Sequence, residues 1–293
     1  MSIEGLLQYV VSGIAIGAVY ALIALGFATI YRCSRIVNLA QGSFAMLGTM
    51  FVVAFLKDLG WPYLAAGIAA VVVVTLLALL MYWLVIAPIL RISLIAMIMV
   101  TVGVNMLFEN ATLLKWGGYP LYSPAFSGTE PIMLGDVAIS TQSLWVVGLT
   151  AVALLALYLL MNYTLIGKQM TATADNFTAA SLVGISTGQM IALAFAISAV
   201  IGAMAGVAIG PIVPISFSSG GILSLKGFVA AALGGWGKST GAVLGGLALG
   251  VVEAVAAAFL PSGYKDGIAF LVLLLILYLR PAGILGSSLA EAE

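Results

Sequence analysis

The side chains most able to do chemistry in this sequence are few, and they sit inside apolar runs. Asn105 and Glu109 are four residues apart, so a helix would carry both on one face. Glu253 lies well inside another apolar stretch. Ionisable groups in lipid are costly and mark functional positions by default, so Glu253 must pair, protonate, or face water or a subunit interface. Glu109 lies closer to a segment end, where a carboxylate is tolerated. The two acids do not make a hydrolytic pair, because the chain has no His and only one cysteine, Cys33. The lack of His removes the commonest general base and, with a lone Cys, a Cys/His metal site; a disulfide framework is excluded as well. Asn110-Ala-Thr112 fits a glycosylation sequon, but it falls at a membrane helix end and is discounted.

Ala232-Leu-Gly-Gly-Trp-Gly-Lys238-Ser239-Thr240 comes close to a phosphate-binding loop. Such a loop needs a strand before it and a soluble α/β sheet around it. Here apolar segments flank it on both sides, which favours a tight glycine turn with a snorkelling Lys238. Small residues at Gly202, Gly206 and Gly210, and at Gly241, Gly245, Gly246 and Gly250, fall at helical spacing. Faces of that kind let membrane helices approach closely, and predict a tightly packed bundle with close subunit contacts.

The elements that must hold these residues follow from composition. Of 293 residues, 63% are hydrophobic and only 7% charged, against roughly 25% charged in soluble domains. The chain cannot coat a water-facing surface, and its zero net charge argues against a nucleic-acid partner. Apolar segments long enough to span a bilayer, or nearly so, lie at about 7–30, 43–56, 63–87, 94–114, 143–161, 188–210, 222–236, 241–260 and 267–280. The runs are continuous rather than alternating, so the expected fold is an all-α, polytopic membrane bundle of eight to nine spans in one domain, 1–293. The N-terminus lacks a basic region and a cleavage site, so its first run is expected to stay as a helix.

With nine crossings and the N-terminus outside, Arg32, Arg35, Arg91 and Arg280 all face the cytoplasm with Lys168 and Lys238. Lys57, Lys115, Lys226 and Lys265 then fall outside. All four arginines on one side fit the positive-inside rule, giving N-out and C-in. Segments 43–56 and 222–236 are short, and the second carries Lys226. Short or glycine-interrupted segments in both halves of a transporter point to its pathway. Residues 115–142, rich in Gly, Pro, Ser and Tyr, read as an external loop. Residues 162–187 are polar but nearly free of Pro; Met170, Ala174, Phe177 and Ser181 form one stripe of a short amphipathic helix. This is the one cytoplasmic loop large enough to dock a partner.

Several segments, in order, resemble the integral-membrane permease subunits of ABC importers for branched-chain amino acids, a group that widens to urea, short-amide and ribose-type permeases. They are Asn38-Leu-Ala-Gln-Gly42 with Met46-Leu-Gly48, Gly167-Lys168 through Ala180-Ser-Leu-Val-Gly184-Ile185, and Lys226-Gly-Phe-Val-Ala-Ala-Ala-Leu-Gly-Gly235 with Gly241-Ala-Val-Leu-Gly-Gly246 and Glu253. Tyr264-Lys-Asp266 and Pro281-Ala-Gly-Ile-Leu-Gly286 complete the set. The resemblance implies a homologous second permease, two cytoplasmic subunits that bind ATP, and a periplasmic binding protein, with no cofactor or catalysis in this chain. It implies that 162–187 couples to an ATPase through Gly167, Lys168, Met170, Ala174, Asp175, Phe177 and Gly184. Asn38, Gln41, Ser43, Asn105, Lys226 and Glu253 are the expected pathway residues. Close relatives usually carry Arg where this chain has Thr171, and often His-Gly-Glu at Gln41-Gly42-Ser43. These departures leave room for a different solute, such as urea or a small amide. An ion-coupled carrier using Glu109 and Glu253, or a channel lined by the short helices, are the remaining alternatives.

Overall fold

The computed structural model describes residues 3–90, 93–128, 130–135, 137–259, 265–279 and 283–285. Each apolar segment named above holds a helix among its described residues: α1 (Ile3–Ser34), α2 (Gln41–Asp58), α3 (Tyr63–Met81), α4 (Leu94–Trp116), α5 (Thr141–Tyr163), α8 (Thr187–Ile209), α9 (Ser219–Gly234), α10 (Ser239–Phe259) and α11 (Lys265–Leu279). Two short helices, α6 (Leu165–Asp175) and α7 (Phe177–Leu182), occupy the polar stretch before α8. In lipid a helix satisfies its own backbone, which is why the runs take this form. Among the described residues, six helices are long and apolar enough to cross a membrane, and α9 is a shorter apolar helix. The protein is a multi-pass, all-α membrane bundle.

Contacts distinguish the two ends of the bundle. At one, Tyr31 at the end of α1 packs on Trp236 between α9 and α10, and Arg35 reaches Asp175 at the end of α6. Arg32, Arg35 and Lys238 therefore share this end with α6, and it is called the basic end below. At the other, Gln8 hydrogen-bonds Ala138, Phe51 packs on Trp116, and Tyr63 donates to the Val207 carbonyl. The loop between α4 and α5 belongs to this end. It holds a hairpin of β1 (Ile132–Leu134) and β2 (Val137–Ile139), and a bridge from Leu121 to Ile215. Arg91, Asp136, Tyr264, Arg280 and the Pro281–Gly286 motif lie wholly or partly outside the described residues, so the arginine bias is seen at Arg32 and Arg35 alone.

The core is built on glycine. Helices α1 and α10 run antiparallel and nearly touch: a Cβ on Gly246 would fall on the backbone of Ala21, and one on Gly250 on Gly17. The α10 glycines serve two neighbours, since Gly241 and Gly245 press on Gly234 and Ala230 of α9 instead. Gly202, Gly206 and Gly210 seat α8 along α2. Where apolar burial gives no drive between helices, this close approach supplies the packing.

The short segments are crossings begun late. After α1 ends at the basic end, residues 35–40 run back into the bundle without helix, and α2 begins there, with Gln41 and Ser43 fully buried. It then continues to the far end. After α8 reaches that far end, 210–218 return inward and α9 starts beside α2, running to the basic end. The two run in opposite senses from where they meet, α2 to the far end and α9 to the basic end.

Three expectations are corrected. Lys226, placed outside by the charge count, is buried inside the bundle because it pairs with Glu253. The stripe Met170/Ala174/Phe177/Ser181 is split between two helices, because Asn176 adopts extended geometry and caps α7 through Ala179 N–H. Met170 is wholly buried against the bundle, so it cannot enter a partner's groove. The glycine turn expected at Lys238 is present: it follows a helix and not a strand, and Gly235 and Gly237 take positive φ of 100° and 77° to make it.

Candidate functional site

The point where α2 and α9 begin is the polar centre of the bundle. Gly42 N–H donates to Ser224 Oγ at 2.7 Å, joining the two helices directly. Only glycine fits at 42, since a Cβ there would fall on the α9 backbone. Asn38 turns the chain into α2 by accepting from Ala40 N–H with its side chain and from Gln41 N–H with its carbonyl. Gln41 is held away from α9: its amide donates to the Ser198 carbonyl and accepts from Ser198 Oγ at 2.6 Å.

One face of α4 closes this centre. Thr101 Oγ1 accepts from Leu39 N–H at 3.1 Å, Asn105 Oδ1 accepts from Ser43 Oγ at 2.5 Å, and Glu109 Oε1 accepts from Gly221 N–H at 2.7 Å. Asn105 and Glu109 do share a face, and it carries more than the pair: Thr101, Asn105, Glu109 and Thr112 fall at i, i+4, i+8 and i+11. Thr112 is fully buried with no hydrogen-bond partner for its hydroxyl among the described residues. The Glu109 carboxylate meets the N-terminal turn of α9, where free N–H groups and the helix dipole favour a negative charge. Thr101 and Thr112 extend the spacing of Asn105 and Glu109 by whole turns, a signal present in the sequence.

A second polar cluster lies between α1, α9 and α10. Lys226 Nζ is 2.7 Å from Glu253 Oε1 and donates to Tyr20 OH at 3.0 Å, while Tyr20 OH donates to Glu253 Oε2 at 3.0 Å. All three are buried. The triangle neutralises both charges inside the bundle, so of the options open to Glu253 it takes pairing. Tyr20 carries no sequence signal that would join it to residues more than 200 positions away. The expected pathway residues thus fall into three groups: Asn38, Ser43 and Asn105 at the broken-helix centre, Gln41 against α8, and Lys226 with Glu253.

The expected coupling residues gather at the basic end. Gly167 packs on the Leu160–Met161 backbone so closely that a Cβ would overlap it, folding α6 back under α5. Lys168 and Asp175 are exposed, Ala174 and Phe177 half-buried, and Gly184 has φ 86° at the turn after α7. The exposed apolar residues here are Leu165 and Ile166 at the start of α6 and Leu182 (82% exposed) and Val183 (77%) after the break at Asn176, not Met170. Asp175 Oδ1 lies 3.8 Å from Arg35, a long and solvent-exposed contact between the end of α6 and the stretch that feeds α2.

Comparison with known proteins agrees with this architecture. The family model described as branched-chain amino acid transport system / permease component matches residues 9–277. The chain is 32% identical over 295 residues to the high-affinity branched-chain amino acid transport system permease protein LivH of Escherichia coli (strain K12), covering 96% of this chain and 95% of that one. It is 32% identical over 293 residues to the corresponding permease protein BraD of Pseudomonas aeruginosa, with the same coverage. The autoinducer 2 import system permease protein LsrC of Enterobacter sp. is 33% identical over 195 residues, 62% of this chain and 54% of that one. With the model matched from the first helix to the last and the identity running the length of both chains, the protein belongs to the family of branched-chain amino acid transport system permease components.

Proposed function

We propose that this chain is the membrane-spanning permease subunit of an ATP-driven ABC importer for branched-chain amino acids in the bacterial inner membrane. It pairs with a homologous second permease, takes solute from a periplasmic binding protein, and is driven by two cytoplasmic ATP-binding subunits that carry out the hydrolysis. The observation that carries this reading is the meeting of α2 and α9 at Gly42 and Ser224. The two helices run from that meeting to opposite ends, so a path can open beside one while it stays shut beside the other. Broken helices with irregular backbone at mid-depth are tolerated only where protein or a path surrounds them.

The basic end is the cytoplasmic one, giving N-out and C-in. The exposed Leu182–Val183 pair enters an ATPase groove, with Lys168 and Asp175 beside it. Closure of the ATPases then moves α6, and the backbone contact of Gly167 with α5, together with the Asp175–Arg35 pair beside residues 35–40, passes that motion to the membrane helices. The ion-coupled alternative draws no support from Glu253, whose charge Lys226 already balances.

A second reading, import of urea or a small amide, is favoured by the uncharged polar contact of Ser43 with Asn105 at the centre. Co-purification from the native membrane tests the partners: two ATPases and a second permease are expected with this chain. Uptake assays with leucine, urea and small amides then separate the solutes, leucine being the expected one.

A further inference from the structure

We propose that the cavity between the coupling element and the membrane helices is a regulatory site for an aliphatic α-amino acid, through which solute accumulated on the ATPase side slows its own import. The proposal rests on the importer reading above. The cavity has a volume of ≈ 670 Å³ and lies among the end of α1, the start of α4, α6, α7 and α8. That is the size of ordinary small-molecule sites, roughly 300–1,000 Å³.

The lining chemistry selects the ligand. Arg35 is the one charged residue among the described lining residues; Thr173 and Ser93 add hydroxyls, while Leu90, Met97 and Ile191 make an apolar wall. Arg35 holds φ 58°, the one non-glycine residue with positive φ among the described residues, and its guanidinium lies over Tyr31 at 5.6 Å from the ring centroid. A side chain held on strained backbone is characteristic of ligand clamps. Its ionic partner Asp175 stands 3.8 Å away, and both side chains are more than half exposed, at 59% and 65%. A pair that long and exposed is weak and opens readily.

Asp175 stands beside the cavity without lining it, and an α-amino acid that takes Arg35 parts the pair and brings its own ammonium to Asp175. Its carboxylate takes the guanidinium fork of Arg35 and its ammonium takes Asp175. Its aliphatic side chain then reaches Leu90, Met97 and Ile191. A phosphate or a dicarboxylate gains Arg35 but is repelled by Asp175, so the pair favours a zwitterion over an anion. Because Arg35 leads into α2 and Asp175 ends the coupling helix, a ligand seated between them bridges the two more firmly than their own pair and holds them in one arrangement, slowing the cycle.

The test uses the full assembly in proteoliposomes, with ATP inside and binding protein and labelled leucine outside. Unlabelled leucine trapped inside should slow initial uptake and ATP hydrolysis by roughly ten-fold, within the usual range of coupling between two sites. Trapped glutamate or inorganic phosphate should not. Leu90→Trp, which fills the apolar wall, should import into empty vesicles like wild type yet ignore trapped leucine. Equilibrium dialysis of labelled leucine against the wild-type assembly without binding protein should find a saturable site on the permease that Leu90→Trp loses. Active uptake into empty vesicles that trapped leucine leaves unchanged overturns the site, as does inhibition that survives Leu90→Trp, or dialysis that finds no bound leucine. An assembly that imports nothing into empty vesicles overturns the importer reading itself.

Discussion

Gly42 and Ser224, 182 positions apart, are joined by a 2.7 Å hydrogen bond at the place where two broken helices begin. The first helix continues to one end of the bundle and the second to the other. This contact fixes the relative height of the two short helices, and the polar face of α4 packs beside it.

Ser224→Ala removes the acceptor for a buried N–H. Leaving such a group unpaired costs about 1–3 kcal/mol. The variant should unfold at lower temperature in detergent and import more slowly. Gly42→Ala should be worse, because the added Cβ falls on the α9 backbone. Thermal unfolding followed by tryptophan fluorescence checks the order; an unchanged Ser224→Ala would show that the contact holds nothing.

Glu109 contributes both an acceptor and a charge to the start of α9. Glu109→Gln keeps the acceptor and loses only the charge–dipole interaction, about 0.3–1 kcal/mol. Glu109→Ala loses both, and the unpaired amide costs roughly 1–3 kcal/mol. The stability order wild type, Gln, Ala is expected from denaturation curves. Equal loss in the two variants would argue that the charge alone matters.

For the buried Lys226–Glu253 pair, removing one partner strands the other, at a cost of roughly 3–5 kcal/mol. Lys226→Met should therefore be strongly destabilised, and Lys226→Met combined with Glu253→Gln should recover much of the loss. A double-mutant cycle on melting curves measures the coupling. Glu253→Gln alone keeps one oxygen for Lys226 but loses the second, which accepts from Tyr20, and strands the lysine charge, so it should be destabilised in its turn; residual uptake that becomes dependent on a proton gradient would favour an ion-coupled carrier.

Docking on an ATPase is assigned to exposed residues, and burial separates the two kinds of variant. Leu182→Asp should insert and fold normally but lose co-purifying ATPase. Met170→Asp should fail to fold, because Met170 is buried in the bundle. A folded Leu182→Asp permease that still holds its ATPases at wild-type yield would reject this surface.

The helices were legible in the sequence because continuous apolar runs in lipid have one outcome. Their exact use was not. The shortness of 43–56 and 222–236 signalled broken crossings, but the inward return of 35–40 and 210–218 carries no apolar pattern to read. Asn105 and Glu109 announced the face of α4 by spacing, and Thr101 and Thr112 follow the same rule. Tyr20 and Ser198 gave no signal, since an isolated hydroxyl in an apolar run reads as packing until its distant partner is known. Met170 misled for a related reason: a stripe of apolar residues marks a face that packs, without saying whether its own bundle or a partner covers it. The break at Asn176 settles which residues remain outside, leaving Leu182 and Val183 exposed.

The most direct test of the central claim is leucine accumulation by the reconstituted permease assembly in sealed vesicles. With ATP inside and binding protein outside, internal leucine should rise above the external concentration, and should fail to do so when ATP or the ATPases are omitted. Accumulation by the permease alone, driven by a proton or sodium gradient without ATP, would contradict the account.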